Sequence, residues 1–349
     1  MKKILYIASA IAFVACGASK DATSTENNND PNVDYATRYA KTITAKDLGK
    51  HLFVYASDEF EGRNTGEAGQ KKAVNYLKDF YKTNGITSPL GGDNYFQTVP
   101  SAFLSNNRRG MKLNDSENVV AFIKGTEKPE EILVISAHLD HEGVKNGKIY
   151  NGADDDGSGT VAMLEIAEAF KQAYNEGKKP KRSILFLHVT GEEKGLLGSK
   201  YYTENPIFPL ANTVTNLNID MIGRVDDRHK GNPNYVYLIG ADKLSTELHN
   251  ISEAMNNKYT NVSLDYKYND EKDPNRYYYR SDHYNFAKNN IPVIFYFNGT
   301  HADYHQPTDT PDKINYEMLE NRTRLVFHTA WELANRDNRV IVDKGEPKK

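Results

Sequence analysis

Imidazole and carboxylate side chains recur in this chain where apolar runs end. Residues 132–137 lead into His138-Leu-Asp140-His141, residues 183–189 into Thr190-Gly191-Glu192-Glu193, and residues 214–219 into Asp220. An apolar run finishing at Phe297 is followed by His301-Ala-Asp303-Tyr304-His305. Between the first two runs lies Gly152-Ala-Asp154-Asp155-Asp156-Gly-Ser-Gly159. A single histidine or acid at a strand end is ordinarily a solvated loop residue. Several at one sheet edge are different, because like charges there repel and a cation is needed to offset them. Imidazole with carboxylate, and no thiol, is a donor set for zinc or a similar divalent ion. Glu192 and Glu193 are adjacent, so in extended backbone their side chains point apart. One of them can hold metal while the other handles a proton.

Other chemistries find no support. The only cysteine is Cys16, which excludes a disulfide framework, a thiolate metal site and a cysteine nucleophile in the folded body. No Gly-x-Ser-x-Gly elbow and no His-Glu-x-x-His signature occurs. Gly157-Ser-Gly159-Thr-Val-Ala162 matches the glycine fingerprint of dinucleotide sites, but three aspartates precede it where a pyrophosphate would approach. No nucleotide cofactor is expected. The formal net charge of −3 offers no basic field for nucleic acid.

The elements that must position these groups alternate. β-rich runs fall at 119–123, 132–137, 183–189, 214–219, 235–239 and 292–297, several apolar at consecutive positions, as strands covered on both faces are. Helical patterns lie at about 48–56 and 69–81, after Ser158, at about 245–258 and at about 318–334. The alternation predicts an α/β domain with a mostly parallel sheet and helices on both faces. Such sheets bind ligands beyond the carboxyl ends of their strands, where the motifs stand. Residues 35–345 read as one domain.

Taken together, His138/Asp140, the 152–159 stretch, Glu192-Glu193, Asp220 and Tyr304-His305 resemble the M28 family of zinc aminopeptidases, and Ser281-Asp282-His283 matches too. The resemblance covers roughly residues 45 to 340. It implies a three-layer α/β/α sandwich around a mixed sheet, with two Zn²⁺ per chain at the strand ends. It assigns His138 and Asp220 to one zinc, Glu193 and His305 to the other, and Asp155 to both. Glu192 becomes the general base acting on a metal-bridging water, and Tyr304 the phenol that steadies the tetrahedral oxyanion. Asp140 would orient His138 from behind. Two ions bring four positive charges against three carboxylates, a surplus that can draw the pKa of that water toward ~7. The ligand set is complete, which argues against the one-zinc glutaminyl cyclases. Asp154 and Asp156 are explained by turn formation and helix capping. His301 is left out of the ligands, His141 and His283 stay undecided between lining the site and packing, and Arg280, beside three tyrosines, could hold a peptide carboxylate but reads first as a surface ion pair.

The expected function is an exopeptidase, an aminopeptidase acting on peptide substrates. Two alternatives stand beside it: a dipeptidase or carboxypeptidase on the same scaffold, and a non-catalytic peptide-binding lipoprotein. The first 16 residues have the layout of an export signal, with Lys2 and Lys3, an apolar run from Ile4 to Val14, and Cys16. Phe13-Val-Ala-Cys16-Gly resembles a bacterial lipobox, with Phe13 departing from the usual leucine. This predicts lipid attachment at Cys16 and residence at the periplasmic face of the outer membrane or the cell surface. The lipid would be the only membrane contact. Residues 17–34 are polar and read as a tether.

Overall fold

The structure, a computed structural model, describes residues 33–107 and 110–344. The expected signal segment, Cys16 and the tether as far as residue 32 lie outside the described residues. The tether's last residue, Asp34, belongs to the folded part: its carboxylate accepts the Thr37 N–H and caps the helix Tyr35–Ala40.

The described residues form ten strands: β1 (Phe96–Val99), β2 (Ser116–Ile123), β3 (Lys128–His138), β4 (Gly143–Lys145), β5 (Lys148–Tyr150), β6 (Arg182–Val189), β7 (Thr213–Ile219), β8 (Tyr235–Ile239), β9 (Ser263–Asp265) and β10 (Val293–Phe297). Eight make one sheet in the order β1-β2-β6-β3-β7-β10-β8-β9, and β4 and β5 pair separately. The four middle strands, β6, β3, β7 and β10, run parallel. β2 on β6, β1 on β2 and β8 on β10 are antiparallel, and β9 runs parallel to β8. All six expected strands are present. The short strands β1, β4, β5 and β9 were not expected, since three or four residues carry too little periodicity to read.

Alternation along β3 makes the layers. Leu133, Ile135 and Ala137 face a core that includes Ala162, Phe170 and Leu325 of the helices Gly159–Asn175 and Tyr316–Asn335. Ile132 and Val134 face the other way, toward Tyr202 and Phe286 of the helices Leu197–Glu204 and His283–Ala287. Both faces of the sheet are thereby covered, giving the expected α/β/α sandwich. Because the middle strands are parallel, their carboxyl ends share one edge. His138 is the last residue of β3, and Asp220 directly follows β7.

One buried carboxyl belongs to no site. Glu165, on the helix Gly159–Asn175, is pushed up to about 8 by burial and by Glu168 and Asp47. A raised carboxyl favours the fold while protonated, and that contribution is lost as pH climbs from about 4.5 through about 8. Glu165→Gln, which stays neutral, is therefore expected to gain on the parent chain by on the order of 2 kcal/mol between pH 5 and pH 9. Urea melts of both proteins at the two pH values measure it; a constant difference would contradict it.

Candidate metal centre

The strand ends converge. His138 Nε2 lies 3.1 Å from Asp155 Oδ1 and 3.6 Å from Asp220 Oδ1. His305 Nε2 lies 3.0 Å from the other oxygen of Asp155, Oδ2, and 3.3 Å from Glu193 Oε1. Asp155 thus faces two imidazoles with its two oxygens, each beside a further carboxylate. All five side chains named from the sequence meet here.

Neighbouring elements hold them. His138 Nδ1 is 3.0 Å from the backbone carbonyl of Asp140 and 3.9 Å from its carboxylate. The Asp140 carboxylate instead accepts the Glu192 N–H and the Thr65 hydroxyl. It ties the Glu192 backbone to β3 rather than gripping the imidazole. Asp220 Oδ2 accepts from Ser281, itself held by Asn218 of β7, which leaves Oδ1 toward His138. Asp156 accepts the N–H groups of His138, Gly159 and Met221. Asp154 takes the Gly223 N–H and meets His301 Nε2 at 3.1 Å, while Asp309 takes the N–H groups of Asp154 and Asp155. These acids are braces.

The glycines of the acidic loop are explained by contact. A Cβ on Gly159 would meet the Asp156 carboxylate at 2.4 Å, and one on Gly152, whose φ is +55°, would meet the His141 ring at 2.5 Å. Arg63, fully buried, donates to the carbonyls of Leu139, Asn151 and Gly152 and so clamps both loops. Its signal in the sequence was one arginine in an acidic stretch, too common a pattern to single out.

His141 is drawn into the site. Its Nδ1 lies 3.0 Å from Glu193 Oε1 and 3.7 Å from Asp155 Oδ2. His283 packs instead, stacked on Phe295. Arg280 makes no ion pair with a described carboxylate, against expectation. It lies over the Tyr277 ring and lines the cleft with Glu192, Tyr304 and His305.

The electrostatics call for positive charge. Burial opposes an imidazolium at His138, yet Asp220 and Asp155 more than offset it and lift its pKa well above the histidine range. Burial likewise opposes the charged form of His305, but Asp155 and Glu193 raise it to about 10. Burial and Asp155 would raise Glu193, but His141 and His305 bring it to about 2. Burial would also raise Asp155, and His141, His138 and His305 hold it well below the carboxylate range. Without metal the cluster has to be charged through its imidazoles. Divalent ions would supply that charge, and the donors fit: nitrogen and oxygen atoms of His138, Asp155 and Asp220 lie within 4.8 Å of one another, as do those of His141, Asp155 and Glu193.

Residues 118–330 match the model of peptidase family M28. The chain belongs to this family. Among curated relatives, the leupeptin-inactivating enzyme 1 of Streptomyces exfoliatus is 29% identical over 305 residues, covering 81% of this chain. The chain spans 59% of that relative's length. The Legionella pneumophila LapA aminopeptidase has a similar fold, with a TM-score of 0.65 at 22% identity, over 91% of this chain and 78% of the other. BSAP, a zinc aminopeptidase from Bacillus subtilis, gives 0.63 at 17% identity, over 87% and 99%. The M28 match begins in β2 and ends in the helix Tyr316–Asn335, so it encloses every residue of the cluster.

Proposed function

We propose that this M28 protein is a two-zinc aminopeptidase. The observation that carries the reading is the double-sided Asp155, with Oδ1 at 3.1 Å from His138 and Oδ2 at 3.0 Å from His305. His138 and Asp220 would hold one ion and Glu193 and His305 the other, with Asp155 shared. His141 would steady Glu193. Zinc bound there would polarise the scissile carbonyl and ease deprotonation of a water.

The protein's own groups would do the rest. Burial pushes the Glu192 carboxyl well above its usual range, and Glu193, Asp220 and Asp282 add to this against His138. A carboxylate so placed is a strong proton acceptor, suited to taking a proton from the attacking water and passing it to the leaving amine. Burial and the surrounding acids raise the Tyr304 phenol, so it stays protonated and can donate a hydrogen bond to the oxyanion. Its ring stacks on His305, 4.0 Å between centroids, which fixes its place beside the cluster.

A peptide series separates aminopeptidase from carboxypeptidase. N-acetylation is expected to lower kcat/KM by at least about 100-fold, because the free amine is lost from the recognised end, while C-amidation costs far less. Cleavage that survives N-acetylation and fails on C-amidation would refute the aminopeptidase reading. For location, we propose a lipid on Cys16 holding an exported chain at the membrane. Cys16→Ala should move the protein from the membrane fraction to the soluble one and abolish labelling by radioactive palmitate; unchanged labelling would refute this.

A further inference from the structure

A cavity of 610 Å³ opens beside the metal cleft. It shares Gly195, Leu196 and Tyr279 with the smaller hollow lined by Glu192, Glu193, Tyr304 and His305. Its size is that of a site for a small ligand. Its charge is opposite to the cleft's: Lys194, Lys200, Arg276 and Lys288 line it, with no carboxylate among its described lining residues. The chain as a whole carries a net charge of −3, so four cations lining one cavity are a local concentration.

These cations are only partly neutralised by nearby acids. Lys194 is only 9% exposed, and the carboxylate that feels its charge is the buried Asp140, which already accepts the Glu192 N–H and the Thr65 hydroxyl. Lys200 comes no nearer than 3.9 Å to Glu204 and lies over the Phe103 ring. Arg276 sits over Tyr279 at 4.8 Å, between this cavity and a hollow lined by Asp270, Glu271 and Asp273. Burial lowers the Lys288 ammonium, with Lys200 adding to that and Glu204 opposing it. Repelling cations around a shared space favour entry of an anion.

The position relative to the cleft gives the anion its identity. A different hollow, sharing Glu192, Tyr304 and His305, is walled by Met221, Tyr277, Phe295 and Phe297 together with Asp155, Asp220 and Arg280, and at about 30 Å³ it leaves the larger basic cavity as the roomier space beside the cleft. We propose that the basic cavity receives the leaving fragment of the substrate and binds a carboxylate on it. The preferred substrates are then short peptides whose carboxylate, at the C-terminus or on an acidic side chain, reaches the four cations. This rests on the peptidase reading.

The test uses zinc-loaded full-length protein and peptides of a leucine followed by one to four alanines, as free acids and as amides. A further amide pair carries aspartate or asparagine after the second residue. At one length the acid should exceed its amide in kcat/KM by about tenfold or more if the C-terminal carboxylate is bound. If a side-chain carboxylate is bound, the aspartate amide should exceed the asparagine amide similarly. In the double variant Lys200→Gln/Lys288→Gln the ratio should fall toward one, with zinc content and melting temperature checking that the fold is intact. Equal rates for all wild-type pairs, or a preference unchanged in the variant, would overturn the proposal. Absence of hydrolysis of every peptide and of leucine p-nitroanilide would instead overturn the peptidase reading.

Discussion

Glu192→Gln is expected to lower kcat by about 10³- to 10⁴-fold while zinc stays bound. The substitution keeps the shape of the side chain and removes its ability to carry a proton. Glu192 is not among the donor atoms that lie together in the cluster, so the ions should not depend on it. Its backbone N–H stays anchored by Asp140, which keeps Glu193 in place next door. Leucine p-nitroanilide hydrolysis and zinc content, measured on one preparation, test both halves. Activity within tenfold of the parent would remove Glu192 from the role of base. Zinc lost together with activity would make it a ligand.

Asp155→Asn is expected to have the opposite signature, with both ions weakened and activity below detection. Among the described residues, Asp155 is the one carboxylate that faces both His138 and His305. The amide that replaces it has no negative charge and only one oxygen, so it cannot serve two cations at once. The metal-free protein also loses the anion that stands against three imidazoles. Fewer than one zinc per chain after dialysis, and a lower melting temperature in chelator, are the expected results. Retention of two zinc ions would contradict the shared role.

Much of this was legible in the residues themselves. The apolar runs before His138, Glu192 and Asp220 required buried parallel strands, and parallel strands bring their carboxyl ends to one edge. The adjacency of Glu192 and Glu193 already offered one side chain for metal and one for a proton, while the choice between them came from the family resemblance. Less legible were the residues that act through backbone. Arg63 and Asp309 recognise carbonyls and N–H groups of distant loops, and no spacing in the chain announces such partners. How Asp140 meets His138 was not legible for the same reason: the turn after β3 brings its backbone carbonyl to 3.0 Å from His138 Nδ1 and its carboxylate to 3.9 Å. His141 was undecided because its neighbours, Glu193 and Asp155, come from other segments. The basic cavity was invisible because Lys194, Lys200, Arg276 and Lys288 are joined only by the fold.

Anomalous diffraction at the zinc edge from crystals grown with zinc tests the central claim most directly. Two peaks are predicted, one among His138, Asp155 and Asp220 and the other among Glu193, His305 and Asp155. A single peak, or peaks away from Asp155, would contradict it.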